Sequence, residues 1–172
     1  GWTRTGADPV PVPGEKARVL PVIEALGDLD VAVSIDTRKA AVARAALDAG
    51  ADILNDVSGL ADPEMRLVAA ERDVPVVVMH SIEAPVNPDI NVAYDDVVDD
   101  VLAALTERVL VAEHAGLDRS QLTVDPGLGF GKTPAESFAS PARLVAFEAL
   151  GCPVLSGHPH QAMLQAAGPG PR

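Results

Sequence analysis

The sequence predicts an α/β fold assembled from parallel β–α–β units. Three observations carry that expectation. Short β-branched segments alternate with longer, alanine-rich segments of helical periodicity along most of the 172 residues. The apolar set is aliphatic, with 48% hydrophobic but only 3% aromatic residues, as is common where strands are buried on both faces between helices. Finally, the strand-like segments end on polar residues: Asp36, Asn55, His80 and Asp125.

In chain order, Glu15 to Leu26 is helical in pattern and Gly27 closes it. Val31 to Ile35 is a β-branched strand ending at Asp36. Lys39 to Ala49 has apolar positions at helical spacing, and Gly50 is a natural stop. Asp52-Ile53-Leu54 is a second strand, ending at Asn55-Asp56. Asp62-Pro63 supplies an N-cap and a first-turn proline for a helix to about Glu71. Val74 to Met79 is the clearest strand and ends at His80. A polar loop from Ser81 to Val92 precedes a helix from Tyr94 to His114, stopped by Gly116. Gln121 to Val124 is a fourth strand, ending at Asp125. Thr133-Pro134 starts a helix reaching about Leu150, and Pro153-Val154-Leu155 is a short fifth strand.

Parallel β–α–β units build either the (β/α)₈ barrel or the doubly wound open sheet, and both place ligands at the C-terminal ends of the strands. The barrel is the favoured expectation. A barrel needs about 250 residues, so five strands make this a partial (β/α)₈ TIM barrel with about five of eight βα units. Residues 1–157 are expected to form the incomplete barrel domain, and 158–172 an atypical, disordered tail.

Composition narrows the function. The net charge is −12 and the pI is near 4.5, so no basic patch suits a nucleic-acid backbone. No apolar run approaches the ~20 residues of a membrane span, and no secretory signal opens the chain. The one cysteine, Cys152, excludes a disulfide framework and a cysteine-built zinc site. A soluble cytoplasmic protein is the expectation.

The most informative stretch is the loop Asp125-Pro126-Gly127-Leu128-Gly129-Phe130-Gly131-Lys132-Thr133, which follows a strand and opens a helix. Gly131-Lys132-Thr133 matches the end of a phosphate-binding P-loop, which makes a nucleotide-binding protein one alternative. That pattern requires glycine where Pro126 stands, and proline lacks the amide to donate. A plain glycine-rich turn with an exposed lysine is another reading.

The loop resembles the Asp-Pro-Gly-x-Gly-Phe-Gly-Lys signature of the dihydropteroate synthase family. Other segments resemble that family in the same order. Thr3-Arg4-Thr5-Gly6-Ala7 resembles its Ser-Thr-Arg-Pro-Gly-Ala loop, with Thr5 in place of proline. Ser34-Ile35-Asp36-Thr37 resembles its Asp-Thr strand end, Asn55 to Gly59 its Asn-Asp segment, and Val78-Met79-His80 its Met-His strand.

The resemblance implies a (β/α)₈ barrel that condenses 6-hydroxymethyl-7,8-dihydropterin diphosphate with 4-aminobenzoate to give 7,8-dihydropteroate in folate biosynthesis. Asp36, Asn55 and Asp125 would form the pterin pocket, since ionised carboxylates only accept hydrogen bonds and the pterin edge is rich in donors. Asp36 and Asp125 would also stabilise positive charge as diphosphate departs, which gives them the catalytic role. Met79 would pack in the same pocket, Arg4 would contact the diphosphate, and Thr3 with Phe130 would shape the aminobenzoate site. Mg²⁺ is implied as cofactor, and a homodimer as the assembly. Lys132 is given no catalytic role.

Plainer roles exist for each residue. Asp36 and Asp125 could be helix N-caps, Asn55 an ordinary turn residue, and His80 a strand terminator outside the site. The chain also departs from the family pattern. That pattern has two strands before the Thr-Arg loop, the first bearing the asparagine associated with magnesium, so no metal ligand is assigned here. Where the family carries Ser-Arg-Lys, this sequence has Pro159-His160-Gln161, and the family's last strand with its Arg and His has no counterpart. A truncated member with little or no synthase activity is therefore expected, the alternative being a non-catalytic pterin-binding relative or gene remnant.

Overall fold

The computed structural model describes residues 10–81, 97–127 and 144–155. Among these residues the elements alternate as the periodicity predicts: α1 (Val12–Leu26), β1 (Ser34–Asp36), α2 (Ala40–Asp48), β2 (Ile53–Asp56), α3 (Pro63–Arg72), β3 (Val76–Met79), α4 (Val97–His114) and β4 (Leu122–Asp125). Short 3₁₀ helices occupy Arg119–Gln121 and Leu144–Leu150. The start expected for the fourth helix at Tyr94, and the helix expected from Thr133, lie outside the described residues.

The strands form one parallel sheet in the order β1-β2-β3-β4. Register is fixed by Asp36 opposite Asn55, Asn55 opposite Val77, and Met79 opposite Asp125. The fifth strand is realised as a single parallel bridge from Val154 to Val124. Its hydrogen bonds are Val124 N–H to the Pro153 carbonyl and Leu155 N–H to the Val124 carbonyl, both 2.9 Å.

The two faces of the sheet differ. Side chains alternate along a strand, so Ile35, Leu54, Val76, Val78, Leu122 and Val124 share the face that packs under the helices, where all are buried. Ala43, Ala46, Met65, Val68, Leu105 and Val109 from α2, α3 and α4 complete that core. Around it α1 packs on α2, α2 on α3, and α4 on β3. On the other face Asp36, Asn55, Val77, Thr123 and Asp125 are half-buried, with Met79 fully so. Among the described residues, burial is therefore complete on one face only.

Sequence punctuation sets most helix ends. Asp62 caps α3 by accepting from the Glu64 amide at 2.9 Å, with Pro63 in the first turn, where a missing amide costs nothing. Gly27 follows α1 in a right-handed conformation rather than as a left-handed stop. No helix among the described residues is long and apolar enough to cross a membrane.

Candidate active site

Asp36, Asn55, Met79 and Asp125 stand at the C-terminal ends of four adjacent strands. Because parallel register partners point the same way, and residues two apart share a face, all four lie on the half-buried face. Asp36 is beside Asn55, and Met79 is beside Asp125. Thr3, Arg4 and Phe130 lie outside the described residues, as do Lys132 and the P-loop-like segment Gly131 to Thr133.

Asp36 has an unusual environment. Its Oδ1 is buried and accepts no hydrogen bond among the described residues. Burial pushes its carboxyl above the ordinary range, and the charges of Asp56 and Glu15 act in the same direction. A buried acceptor left unmatched costs about 1–3 kcal/mol, so the position suits a ligand that brings donors.

The turn after β1 is gripped from α1. Glu15 is 2% exposed; its Oε1 accepts from the Thr37 hydroxyl at 2.7 Å and its Oε2 pairs with the Lys39 ammonium. The Thr37 amide donates to the Asn55 carbonyl at 3.1 Å, tying the turn to β2.

After β2 the turn closes on itself. Asp56 is fully buried and accepts from the Ser58 amide (2.8 Å), the Ser58 hydroxyl (2.7 Å) and the Leu60 amide (3.1 Å). Burial pushes this carboxyl up as well, opposed by the bonds from Ser58 and Leu60. Asn55 and Asp56 are adjacent in sequence yet face opposite ways, so only Asn55 belongs to the candidate site.

Two glycines hold the end of β3 between the flanking turns. Gly59 has φ +65°, and a Cβ there would sit 2.8 Å from the Met79 carbonyl oxygen. Gly127 also has φ +65°, and its Cβ would lie 1.9 Å from the His80 carbonyl oxygen. Neither position admits a side chain without backbone movement. The Gly127 amide donates to Asp125 Oδ1 at 2.8 Å, and the His80 amide to the Asp125 carbonyl at 2.8 Å. The Asp-Pro-Gly stretch thus fixes the Asp125 side chain against the end of β3.

Glu15, Thr37, Asp56 and Gly127 are structural contributors that site assignment from the sequence missed. The signals were present but ambiguous. Asp-x-Ser is a turn pattern, and an acidic residue in a first helical turn ordinarily serves the helix dipole. No group of three or more His, Cys, Asp or Glu side chains among the described residues is placed to hold a metal ion.

Comparison with known proteins follows the same lines. Residues 1–167 match the family described as pterin binding enzyme. A probable bifunctional folylpolyglutamate synthase/dihydropteroate synthase of Haloferax volcanii is 64% identical over 169 residues, covering 98% of this chain and 20% of that protein. The dihydropteroate synthase of Bacillus subtilis is 44% identical over 155 residues, or 89% of this chain and 52% of that one. Among solved structures, the Xanthomonas albilineans dihydropteroate synthase with 4-aminobenzoic acid superposes with a TM-score of 0.89 at 42% identity, covering 97% of this chain and 60% of that one. The Thermus thermophilus enzyme in complex with 6HMPPP superposes with a TM-score of 0.81 at 42% identity, over 95% of this chain and 63% of that one. The chain thus spans between a fifth and two thirds of the length of these relatives, and its parallel sheet is part of their TIM barrel.

Proposed function

The chain belongs to the pterin binding enzyme family, and from that premise we propose that it carries the pterin-binding portion of a dihydropteroate synthase. The observation that carries this reading is the buried, unmatched Oδ1 of Asp36 beside Asn55 on the half-buried face. A pterin edge presents ring N–H and amino donors, which such an oxygen lacks. Asp125, with Oδ1 engaged by the Gly127 amide, approaches the same ligand from β4, and Met79 supplies an apolar wall between the two.

In the proposed reaction the amine nitrogen of 4-aminobenzoate attacks the methylene carbon of 6-hydroxymethyl-7,8-dihydropterin diphosphate. The carbon–oxygen bond to diphosphate breaks, diphosphate leaves with the bonding electrons, and the nitrogen loses a proton. Positive charge grows on the pterin as that bond stretches, and Asp36 and Asp125 stabilise it electrostatically. Thr3, Arg4 and Phe130 complete the proposal at the diphosphate and aminobenzoate ends. Magnesium belongs to the family expectation as a partner of the diphosphate, but no three His, Cys, Asp or Glu side chains among the described residues group to hold it. Cytoplasmic location and a homodimer belong to the same proposal, the latter testable by sedimentation.

Titration of the chain with 6-hydroxymethylpterin, followed by calorimetry, tests the reading. Saturable binding, weakened about tenfold or more by Asp36→Asn, is expected. Absence of binding, or equal binding by the variant, overturns it. Binding without release of dihydropteroate from the two substrates would identify a pterin-binding relative that does not turn over.

A further inference from the structure

Resting on the pterin reading of this site, we infer that Glu15 is a positioning residue for Asp36, holding the turn after β1 through Thr37 and Lys39. A carboxylate that is only 2% exposed must be paired to be tolerated. Both of its named partners lie just beyond Asp36, in Thr37 and Lys39. Burial alone would raise the Glu15 carboxyl, but hydrogen bonds from Lys39 and Thr37 outweigh it and keep the group ionised.

Thr37 is the pivot. It is 3% exposed, and two of its atoms make three hydrogen bonds. Its hydroxyl donates to Glu15 at 2.7 Å, and the same oxygen accepts from the Lys39 amide at 3.2 Å. Its amide donates to the Asn55 carbonyl at 3.1 Å. The residue bonded to Asp36 is therefore fixed to α1, to the following turn and to β2.

The turn after β2 shows why an outside clamp is needed. There Asp56 closes its own turn, spending its oxygens on Ser58 and Leu60. Were Asp36 to do the same, its Oδ1 would be occupied by its own backbone. Glu15 takes over the holding of the turn, and the Asp36 oxygen stays available to a ligand.

The test uses the whole chain and two readouts. Amide hydrogen exchange by NMR is compared between the parent, Glu15→Gln and Thr37→Val, and each is titrated with 6-hydroxymethylpterin. Glu15→Gln is expected to speed exchange of the Thr37 and Lys39 amides about tenfold or more while leaving β3 and β4 unchanged. Its pterin affinity falls about tenfold. Thr37→Val, which keeps the Glu15–Lys39 pair, shows the same local signature at smaller size and serves if Glu15→Gln does not fold. Exchange that rises throughout the sheet, or nowhere, overturns the inference, as does unchanged pterin affinity in a locally loosened variant. Local loosening in a chain that never binds the pterin, parent included, sustains the clamp and sinks the pterin reading instead.

Discussion

The turns after β1 and β2 each follow an aspartate, half-buried in the first and fully buried in the second, and they treat it in opposite ways. Asp56 meets three donors from its own turn. Asp36 has a buried oxygen that meets none among the described residues, and its turn is held by Glu15 from a different helix. Asp125 lies between the two, with Oδ1 spent on the Gly127 amide. A carboxylate whose acceptor capacity is used locally builds the scaffold. One whose capacity is withheld leaves a buried acceptor open to a donor, which is the premise of the proposed pterin site, and folding stability is lower for it.

The strongest way to break this contrast is to remove the satisfied carboxylate. Asp56→Ala strands the Ser58 and Leu60 amides and is expected to cost about 3 kcal/mol in urea unfolding, a large share of the roughly 5–15 kcal/mol typical of a domain. A loss below about 1 kcal/mol would mean that the turn does not depend on Asp56. Gly127→Ala comes next. The left-handed conformation alone costs a residue with a Cβ about 1–2 kcal/mol, and the clash with the His80 carbonyl adds to it. Lower thermal stability and weaker pterin binding are expected together, since Asp125 moves with its turn; binding at parental strength would argue against that coupling.

Asp36→Asn should act with the opposite sign on stability. Burial raises the Asp36 carboxyl in the folded chain, so the native state binds a proton more readily than the unfolded chain does. The stability that this group contributes is then greatest at low pH and is lost as pH rises through the folded value. Neutralising the side chain removes that loss. A melting temperature higher by about 2–4 °C at neutral pH is expected, with the gain shrinking as pH falls into the carboxylate range, alongside the loss of pterin affinity. A lower melting temperature at pH 7 would show that Asp36 supports the scaffold after all. Asp62→Ala is the smallest change. It removes one N-cap bond to Glu64 at a cost of about 0.5–1 kcal/mol, with pterin affinity unaltered.

The strand ends were legible because β-branched runs stop at Asp36, Asn55, His80 and Asp125, and parity then assigns the face. The sequence could not sort Asp36 from Asp56, because both follow strands and precede helices. What distinguishes them is the supply of donors: Asp56 finds Ser58 and Leu60 in its own turn, whereas the turn after Asp36 is held from α1 by Glu15, a tertiary contact. Local exceptions also escaped the pattern. Val31 reads as strand but is 61% exposed, and the ladder starts only at Ser34, with the Val33 amide donating instead to the Asp52 carboxylate at 2.8 Å. The third helix runs to Arg72 and ends on Asp73 at φ +52°, a left-handed aspartate where a glycine would ordinarily signal the stop. Near its C-terminal end, Leu144–Leu150 is 3₁₀ rather than the α-helix its periodicity suggests.

Sheet order here is also chain order. Among the described strands, each therefore joins the edge left by its predecessor. During synthesis, where N-terminal structure is available first, β1 and β2 can seat Asp36 beside Asn55 before the ribosome has reached Asp125. Half of the polar C-terminal edge of the sheet then exists while the other half is still being translated.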